Sequence, residues 1–276
     1  MGQRGSSRRS EGRSRDVPLQ DAGGRPIGVV TGGGGPWFLA PEEQWGDDEI
    51  VLPAAESHHA LHVLRIEAPD VITVTDGRGS IARCAVSRQE GGRVVAEILE
   101  RDEARRPKPE VVVYQGAAKA GKVDGVIERL AELGVAETWV YESERAVVKW
   151  DGEKVRKLTD RLRAIAMSTA KQSRNPYLLH AGGGLSWTEL QRRLAKEDVA
   201  VVLWEEASLP FRTALVEPAD RVALVVGPEG GLSRSEAEQL ADSGGQLVSL
   251  GPRILRTENA PIVAVSALLY HYGLIG

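Results

Sequence analysis

The feature that most constrains the fold of this chain is a regular alternation of apolar runs and amphipathic segments after position 110. The apolar runs predict strands at about 111–115, 137–142, 199–204, 221–226 and 246–250. The segments that follow predict helices at about 122–133, 153–171, 187–196, 234–242 and 258–272. Such alternation is typical of a mostly parallel sheet covered on both faces. Ligands of these sheets bind beyond the carboxyl ends of the strands.

The residues before this alternation predict two further regions. Residues 36–106 contain short strand-like runs at 50–52, 71–75, 81–86 and 94–99, with the turn sequences DGRG at 76–79 and EGG at 90–92 between them. We therefore expect a small β-rich domain at 36–106, which ends at the stiff joint RRPKP, and an α/β domain at 107–276. Residues 1–35 are rich in Arg, Ser and Gly and predict a disordered extension.

Composition narrows the class of protein. The chain has 276 residues, 42% of them hydrophobic, and a formal net charge of −4, so any nucleic-acid contact must rely on local positive charge. Its single cysteine, Cys84, excludes an intramolecular disulfide and a multi-cysteine zinc site, and it fits a reducing cytosol. No apolar run approaches the roughly 20 residues of a membrane span. We therefore expect a cytoplasmic protein without a membrane partner.

Two motifs point to other chemistry and are incomplete. The sequence GAAKAGK at 116–122 nearly matches a phosphate-binding loop, but Val123 stands where a hydroxyl would bind Mg²⁺, and the acidic strand end carries Glu205 instead of Asp. His58 and His62 lie four apart on one face of a predicted helix, without a third ligand at a suitable spacing. We expect neither a nucleotide triphosphatase nor a metal site.

The most basic stretch runs from 145 to 174 and contains nine basic and three acidic residues. Clustered cations in an otherwise acidic chain are typical of a surface that contacts the phosphate backbone of a nucleic acid. A solvated helix face explains the same pattern, so both interpretations stay open on charge alone.

A glycine loop, GPEGG at 227–231, follows the predicted strand 221–226, and a capping box formed by Ser233 and Glu236 starts the next helix. The paired glycines allow the backbone to turn tightly and to approach a ligand. Glu229 in the middle of the loop is a poor neighbour for a phosphate. A carboxylate suits a cationic, hydroxyl-bearing ligand, and S-adenosylmethionine (SAM) carries a sulfonium, an ammonium and ribose hydroxyls.

A second glycine-containing loop, SLGPRILRTENAP at 249–261, follows the predicted strand 246–250. We expect Thr257 to cap the last helix, with Glu258 in its first turn and Pro261 tolerated near its start. Two such loops, about 20 residues apart, predict one shared pocket.

Four blocks of sequence carry a family resemblance: HHALHVLR at 58–65, KVDGVIERLAELGVAETWVYESERAVV at 122–148, LVVGPEGGLSRSE at 224–236 and LGPRILRTENA at 250–260. From about position 36 to the C-terminus, the chain resembles the RsmE family of bacterial 16S rRNA uracil-N3 methyltransferases, which belongs to the SPOUT class. The resemblance implies an α/β SPOUT methyltransferase domain with a parallel sheet and a C-terminal trefoil knot, preceded by a small PUA-like β-barrel domain. It also implies a homodimer and methylation of uridine 1498 in the 16S rRNA of the small ribosomal subunit.

The resemblance further implies that SAM is the cofactor and lies in the knot. The residues expected to bind it are Leu203, Trp204, Glu205, Val226, Gly227, Pro228, Glu229, Gly230, Gly231, Leu250, Gly251, Arg253, Leu255, Arg256, Thr257 and Ala260. The residues expected to contact RNA are His59, Arg65, Lys119, Lys122, Arg145, Gln172 and Arg174.

Two residues are candidates for catalysis. The planar guanidinium of Arg256 can stabilise negative charge on a uracil that has lost its N3 proton, and Glu258 can remove that proton or orient Arg256. The chain departs from the family pattern at Asn175, Asn259 and Pro261. Two alternatives therefore remain: a SPOUT enzyme for another rRNA or tRNA site, and a catalytically weakened RNA-binding factor of ribosome assembly.

Overall fold

A computed structural model describes residues 35–143, 151–215 and 219–276 of the protein. Nearly all of the predicted N-terminal extension lies outside the described residues, as does Arg145 of the predicted RNA-contacting set. Within the described ranges the chain forms two sheets, one before residue 104 and one after residue 109.

The first sheet has five strands in the order β1-β3-β4-β5-β2. The strands are β1 (Trp37–Leu39), β2 (Glu49–Val51), β3 (Val71–Thr75), β4 (Ser80–Glu90) and β5 (Arg93–Glu103). All neighbours pair antiparallel except β1 and β3. The predicted turns are confirmed: the Asp76 carboxylate accepts bonds from the Arg78 and Ser80 N–H groups, and Gly91 and Gly92 have positive φ angles of 56° and 77°. Strand β1, which has only three residues, was not predicted.

A short helical segment packs against this sheet between β2 and β3. Helix α1 (Ala54–His58) continues into a π-helical turn, His59–Val63, so the predicted helix around the histidines is confirmed. The rings of His58 and His62 lie 4.6 Å apart. Within the described ranges, no group of three or more His, Cys, Asp or Glu residues is arranged to hold a metal ion.

The second sheet has six strands, all parallel, in the order β11-β9-β10-β6-β7-β8. Its strands are β6 (Glu110–Gly116), β7 (Glu137–Tyr141), β8 (His180–Leu185), β9 (Val199–Leu203), β10 (Arg221–Val226) and β11 (Gln246–Val248). The helices are α2 (Ala120–Glu132), α3 (Gly152–Ser173), α4 (Trp187–Leu194), α5 (Arg234–Asp242) and α6 (Ala260–His271).

Alternating strand residues bury both faces of this sheet. Val111 and Val113 pack in the core formed with α2, α3 and α6, whereas Val112 and Tyr114 pack in the core formed with α4 and α5. Strands β6 and β10 are neighbours, but the helices that follow them, α2 and α5, cover opposite faces.

The strands and helices predicted after position 110 are confirmed, with bounds that agree to within two residues. Strand β8 was missed because three glycines interrupt its sequence, HAGGGL, and leave it without a continuous apolar run. Its glycines are required by close packing: a Cβ on Gly182 would lie 2.4 Å from the Trp139 ring, and one on Gly183 would lie 2.5 Å from Leu158.

The two sheets are joined by contacts around the end of α3. Lys171 Nζ lies 2.7 Å from Glu56 Oε1, and the Leu178 N–H donates to the Gly77 carbonyl at 2.8 Å. The domain boundary at 106/107 and the trefoil knot stay predictions. Among the described helices, none is both long enough and apolar enough to cross a membrane.

Candidate functional site

A cavity of about 310 Å³ lies at the carboxyl ends of β9, β10 and β11. Its walls are the segments that follow these three strands, and they come from parts of the chain about 20 residues apart. The lining residues are Leu203, Trp204, Glu205, Val226, Gly227, Pro228, Glu229, Gly230, Gly231, Leu232, Ser249, Leu250, Gly251, Arg253, Ile254, Leu255, Arg256, Thr257 and Ala260.

Every residue of the predicted cofactor-binding set lines this cavity, so the two glycine loops do share one pocket. That these residues bind the cofactor stays a prediction. Three lining residues were not predicted: Leu232, Ser249 and Ile254. Ser249 and Ile254 lie within the second loop sequence and Leu232 directly follows the first, so position in or next to a loop was the signal available for them. The Ser249 hydroxyl also accepts a bond from the Gly251 N–H at 3.2 Å, which stabilises the turn.

The loop after β10 is held by close backbone packing. A Cβ on Gly116, at the end of β6, would lie 2.4 Å from Pro228 N, so the two loops touch at this point. Gly231 has a φ of +68°, and a Cβ there would lie 2.8 Å from Glu205 Oε1. The predicted capping box is confirmed: Ser233 Oγ accepts from the Glu236 N–H at 3.2 Å, and the Glu236 carboxylate accepts from the Ser233 N–H at 2.8 Å.

The prediction that Thr257 caps the last helix is wrong. Helix α6 begins at Ala260, its N-cap is Asn259, and Glu258 lies in the turn before the helix. The buried Thr257 hydroxyl donates instead to the Gly227 carbonyl at 2.6 Å and accepts from Gln115 Nε2 at 2.8 Å. This hydroxyl joins the loop after β11 to the loop after β10. It is therefore already hydrogen-bonded to Gly227 and Gln115 and does not cap the N-terminus of α6. Pro261 lies in the first turn of α6, as expected.

Glu229 braces the loops of the site. Its Oε1 accepts from the Lys119 N–H at 3.2 Å and lies 3.6 Å from Lys122 Nζ. The same ammonium lies 3.3 Å from Glu258 Oε2. Lys119 and Lys122, which were predicted to contact RNA, therefore lie beside the cavity wall, and the Lys122 ammonium bridges two carboxylates.

The carboxylate of Glu258 is held in its ionised form. A bond from its own backbone N–H, followed by the charges of Lys122 and Arg256, lowers the pKa of this carboxyl although its partial burial opposes the shift. A carboxyl with a lowered pKa is a weak proton acceptor, so an orienting role suits Glu258 better than that of general base. Arg256 is exposed at the cavity, and its guanidinium makes no ion pair with the described residues.

The other predicted RNA-contacting residues lie apart from this cavity. His59, Gln172 and Arg174 line one cleft of about 450 Å³ between the first sheet and the end of α3, together with Lys171. The Arg65 backbone is left-handed, with a φ of 56°, and its side chain is exposed near the same segment. The residues predicted to contact RNA therefore lie in two places: one group in this cleft, and Lys119 and Lys122 beside the cavity.

Comparisons with known proteins agree with this geometry. The RNA methyltransferase domain family matches residues 105–269, and the RNA methyltransferase PUA domain family matches residues 52–99. Among curated proteins, the ribosomal RNA small subunit methyltransferases E of Mycobacterium bovis and Bacillus subtilis are 35% and 32% identical to this chain. These alignments cover 79% and 81% of this chain and 85% and 91% of the relatives.

Solved structures give the same result. The ribosomal RNA small subunit methyltransferase E of Neisseria gonorrhoeae, bound to S-adenosyl methionine, superposes with a TM-score of 0.78 at 27% identity and covers 86% of this chain and 98% of its own. A Legionella pneumophila methyltransferase in complex with the cofactor SAM superposes with a TM-score of 0.78 at 29% identity over 86% and 98% of the two chains.

The fold and the cavity thus define an RNA methyltransferase of the SPOUT class, preceded by a PUA-like domain. At this level of identity and coverage, the family within the class is also established. The chain belongs to the ribosomal RNA small subunit methyltransferase E (RsmE) family.

Proposed function

We propose that this protein uses SAM to methylate N3 of a uridine in 16S rRNA, at uridine 1498 in the usual rRNA numbering. The observation that carries the proposal is the cavity at the ends of β9, β10 and β11, with an unpaired arginine, Arg256, at its mouth. The names and bound cofactor of the relatives support the same reaction class.

The lining of the cavity fits SAM. Its volume lies within the range of small-molecule sites, and it combines apolar walls such as Leu203 and Leu250 with a carboxylate. Gly231 lets the Glu205 carboxylate approach the loop backbone, and Glu205 has no ion-pair partner in the described ranges. A free carboxylate is suited to an ammonium or to ribose hydroxyls, so Glu205 takes the recognition role that the sequence suggested for Glu229.

When bound, SAM supplies an electrophilic methyl group on a sulfonium sulfur. The protein must present an unpaired uracil to it, because N3 lies on the Watson–Crick edge. As the N3 proton passes to solvent water, Arg256 stabilises the negative charge that develops on N3 and the flanking carbonyls, since its planar fork reaches an oxygen without needing to lose a proton. Glu258, held ionised nearby, attracts the Arg256 guanidinium without forming an ion pair with it.

The cleft that contains His59, Gln172 and Arg174 offers a second surface for RNA, apart from the cavity. Apolar side chains on α6 support a homodimer, because Val263 is 45% exposed and Tyr270 is 72% exposed on a helix whose other face is buried. The proposed enzyme acts in the cytoplasm on the small ribosomal subunit.

The test of the proposal is mass mapping of methylated uridines in small-subunit rRNA from cells that lack this protein and from cells in which it is restored. We expect N3-methyluridine at position 1498 to disappear and return. An unchanged signal would overturn the substrate, and a change at another uridine would identify a different site for the same enzyme.

The role of Arg256 is tested separately with the Arg256→Ala variant of the purified protein. We expect kcat to fall by roughly 10²- to 10³-fold, the usual cost of one charge-stabilising donor, while the Kd for SAM changes little. An Arg256→Ala enzyme with full turnover would refute the assignment. A pure RNA-binding protein would show no SAM binding by calorimetry in the unmodified form.

A further inference from the structure

Three loops meet beside the cavity, and only two of them were expected to form the site. The loops after β10 and β11 line the cavity, whereas the third, residues 117–119, leads from β6 into α2 and lies behind them. Lys122, in the first turn of α2, is the residue that reaches across to both cavity loops.

The ammonium of Lys122 lies 3.6 Å from Glu229 Oε1 and 3.3 Å from Glu258 Oε2. All three side chains are mostly shielded, with exposed fractions of 35% for Lys122, 22% for Glu229 and 19% for Glu258, so solvent and salt screen these pairs less than surface pairs. Without the cation, two carboxylates would face each other at the junction of the two loops, and their repulsion would separate them.

The two carboxylates that Lys122 contacts, Glu229 and Glu258, differ in their other contacts. The loop after β10 keeps a second bond to the α2 region, because the Lys119 N–H donates to Glu229 at 3.2 Å. Among the described residues, Lys122 is the one cation within ion-pair distance of Glu258. Loss of Lys122 would therefore free the Glu258 side chain more than that of Glu229, while Thr257 still holds the backbone of the 250–260 loop to Gly227.

We propose that Lys122 is a positioning residue for methyl transfer, which fixes the Glu258 carboxylate near Arg256 and against Glu229 of the loop after β10. This inference rests on the proposed function. It assigns Lys122 to the support of the cavity loops, in contrast to its expected contact with RNA.

The test compares Lys122→Met with Lys122→Arg and with a control, Arg129→Met, which removes a cation from the exposed side of the same helix. In Lys122→Met we expect kcat at saturating substrates to fall on the order of tenfold to a hundredfold, the effect of a displacement of about 1 Å in a catalytic group. The Kd for SAM should change by less than about threefold, because one bond to Glu229 remains. Arg129→Met should match the unmodified enzyme.

A pH profile separates positioning from a general loss of packing. The charged groups that face Glu258 are Lys122 from α2, Glu229 from the loop after β10 and Arg256 from its own loop. Removing Lys122 raises the pKa of the Glu258 carboxyl, so the acid limb of kcat should move to higher pH in Lys122→Met. Lys122→Arg keeps the positive charge and should restore both kcat and the acid limb.

The outcomes distinguish this inference from the proposed function. If the unmodified protein methylates rRNA and Lys122→Met keeps its kcat and its pH profile, the positioning role is refuted. Equal loss in Lys122→Met and Lys122→Arg, with a lowered melting temperature in both, would also refute it. If Lys122→Met does not fold, the Lys122→Arg profile decides the question, and failure of the unmodified protein to methylate refutes the proposed function itself.

Discussion

The contact between Gly116 and the loop after β10 gives the sharpest prediction. A Cβ at position 116 would lie 2.4 Å from Pro228 N and 2.7 Å from the Gly227 carbonyl carbon, both of which are backbone atoms. Backbone cannot rotate away as a flexible side chain can. In Gly116→Ala, the loop must move by about 1 Å before Pro228 N reaches ordinary van der Waals contact at 3.4 Å.

This displacement has two expected consequences. Overpacking of this kind costs about 1–3 kcal/mol of unfolding free energy. A shift of about 1 Å in the wall of a preformed site should also weaken SAM binding on the order of tenfold to a hundredfold. Calorimetric titration with SAM gives the Kd, and urea unfolding followed by circular dichroism gives the stability.

The matched control is Gly121→Ala in the first turn of α2. A Cβ at position 121 meets nothing within 4 Å, and alanine favours a helix by roughly 0.5–1 kcal/mol over glycine. Gly121→Ala should therefore bind SAM normally and unfold at the same or a higher urea concentration. A Gly116→Ala protein with an unchanged Kd for SAM would refute the claim that this contact sets the position of the loop.

Three further predictions follow from buried groups. Thr257→Val leaves Gln115 Nε2 without its hydroxyl partner and should lower the unfolding free energy by about 1–3 kcal/mol, whereas a stability equal to that of the unmodified protein in urea would contradict the network. Burial raises the pKa of the Cys84 thiol to about 12. At pH 8, a thiol reagent should therefore modify Cys84 only as fast as the first sheet opens, and rapid modification of the folded protein would contradict this burial. Lys171→Met leaves the Glu56 carboxylate buried without its cation and should destabilise the protein by about 3 kcal/mol in thermal unfolding, while an unchanged melting temperature would show that this pair contributes nothing.

The parallel sheet was predictable because its strands are buried on both faces and are therefore continuously apolar. The run 221–226 and the loop GPEGG after it carry this signal within a dozen residues. Strand β8 was not predictable in this way. Its glycines leave room for the side chains of Trp139 and Leu158, which are distant in sequence. The sequence pattern indicates which residues are buried. It does not indicate which distant side chain packs so closely that only glycine fits beside it.

The candidate site shows the same division. The two loop sequences identified the residues that line the cavity, because the carboxyl ends of parallel strands lie on one edge of the sheet. The roles of individual side chains within it depended on partners elsewhere. Thr257 reads as a helix cap in the sequence, but it bonds Gln115, which is 142 positions away.

The sequence by itself determined the class of the α/β domain, the edge of the sheet at which the site lies, and the loops that line it, since each of these follows from local periodicity and from glycine placement. Tertiary structure alone decided that Glu229 braces the loops, that Glu205 has no ion-pair partner among the described residues, and that Lys122 faces two glutamates. The physical reason is that a charge acquires its role from the groups within a few ångströms of it, and here Lys122 lies more than a hundred positions before the two glutamates that it faces.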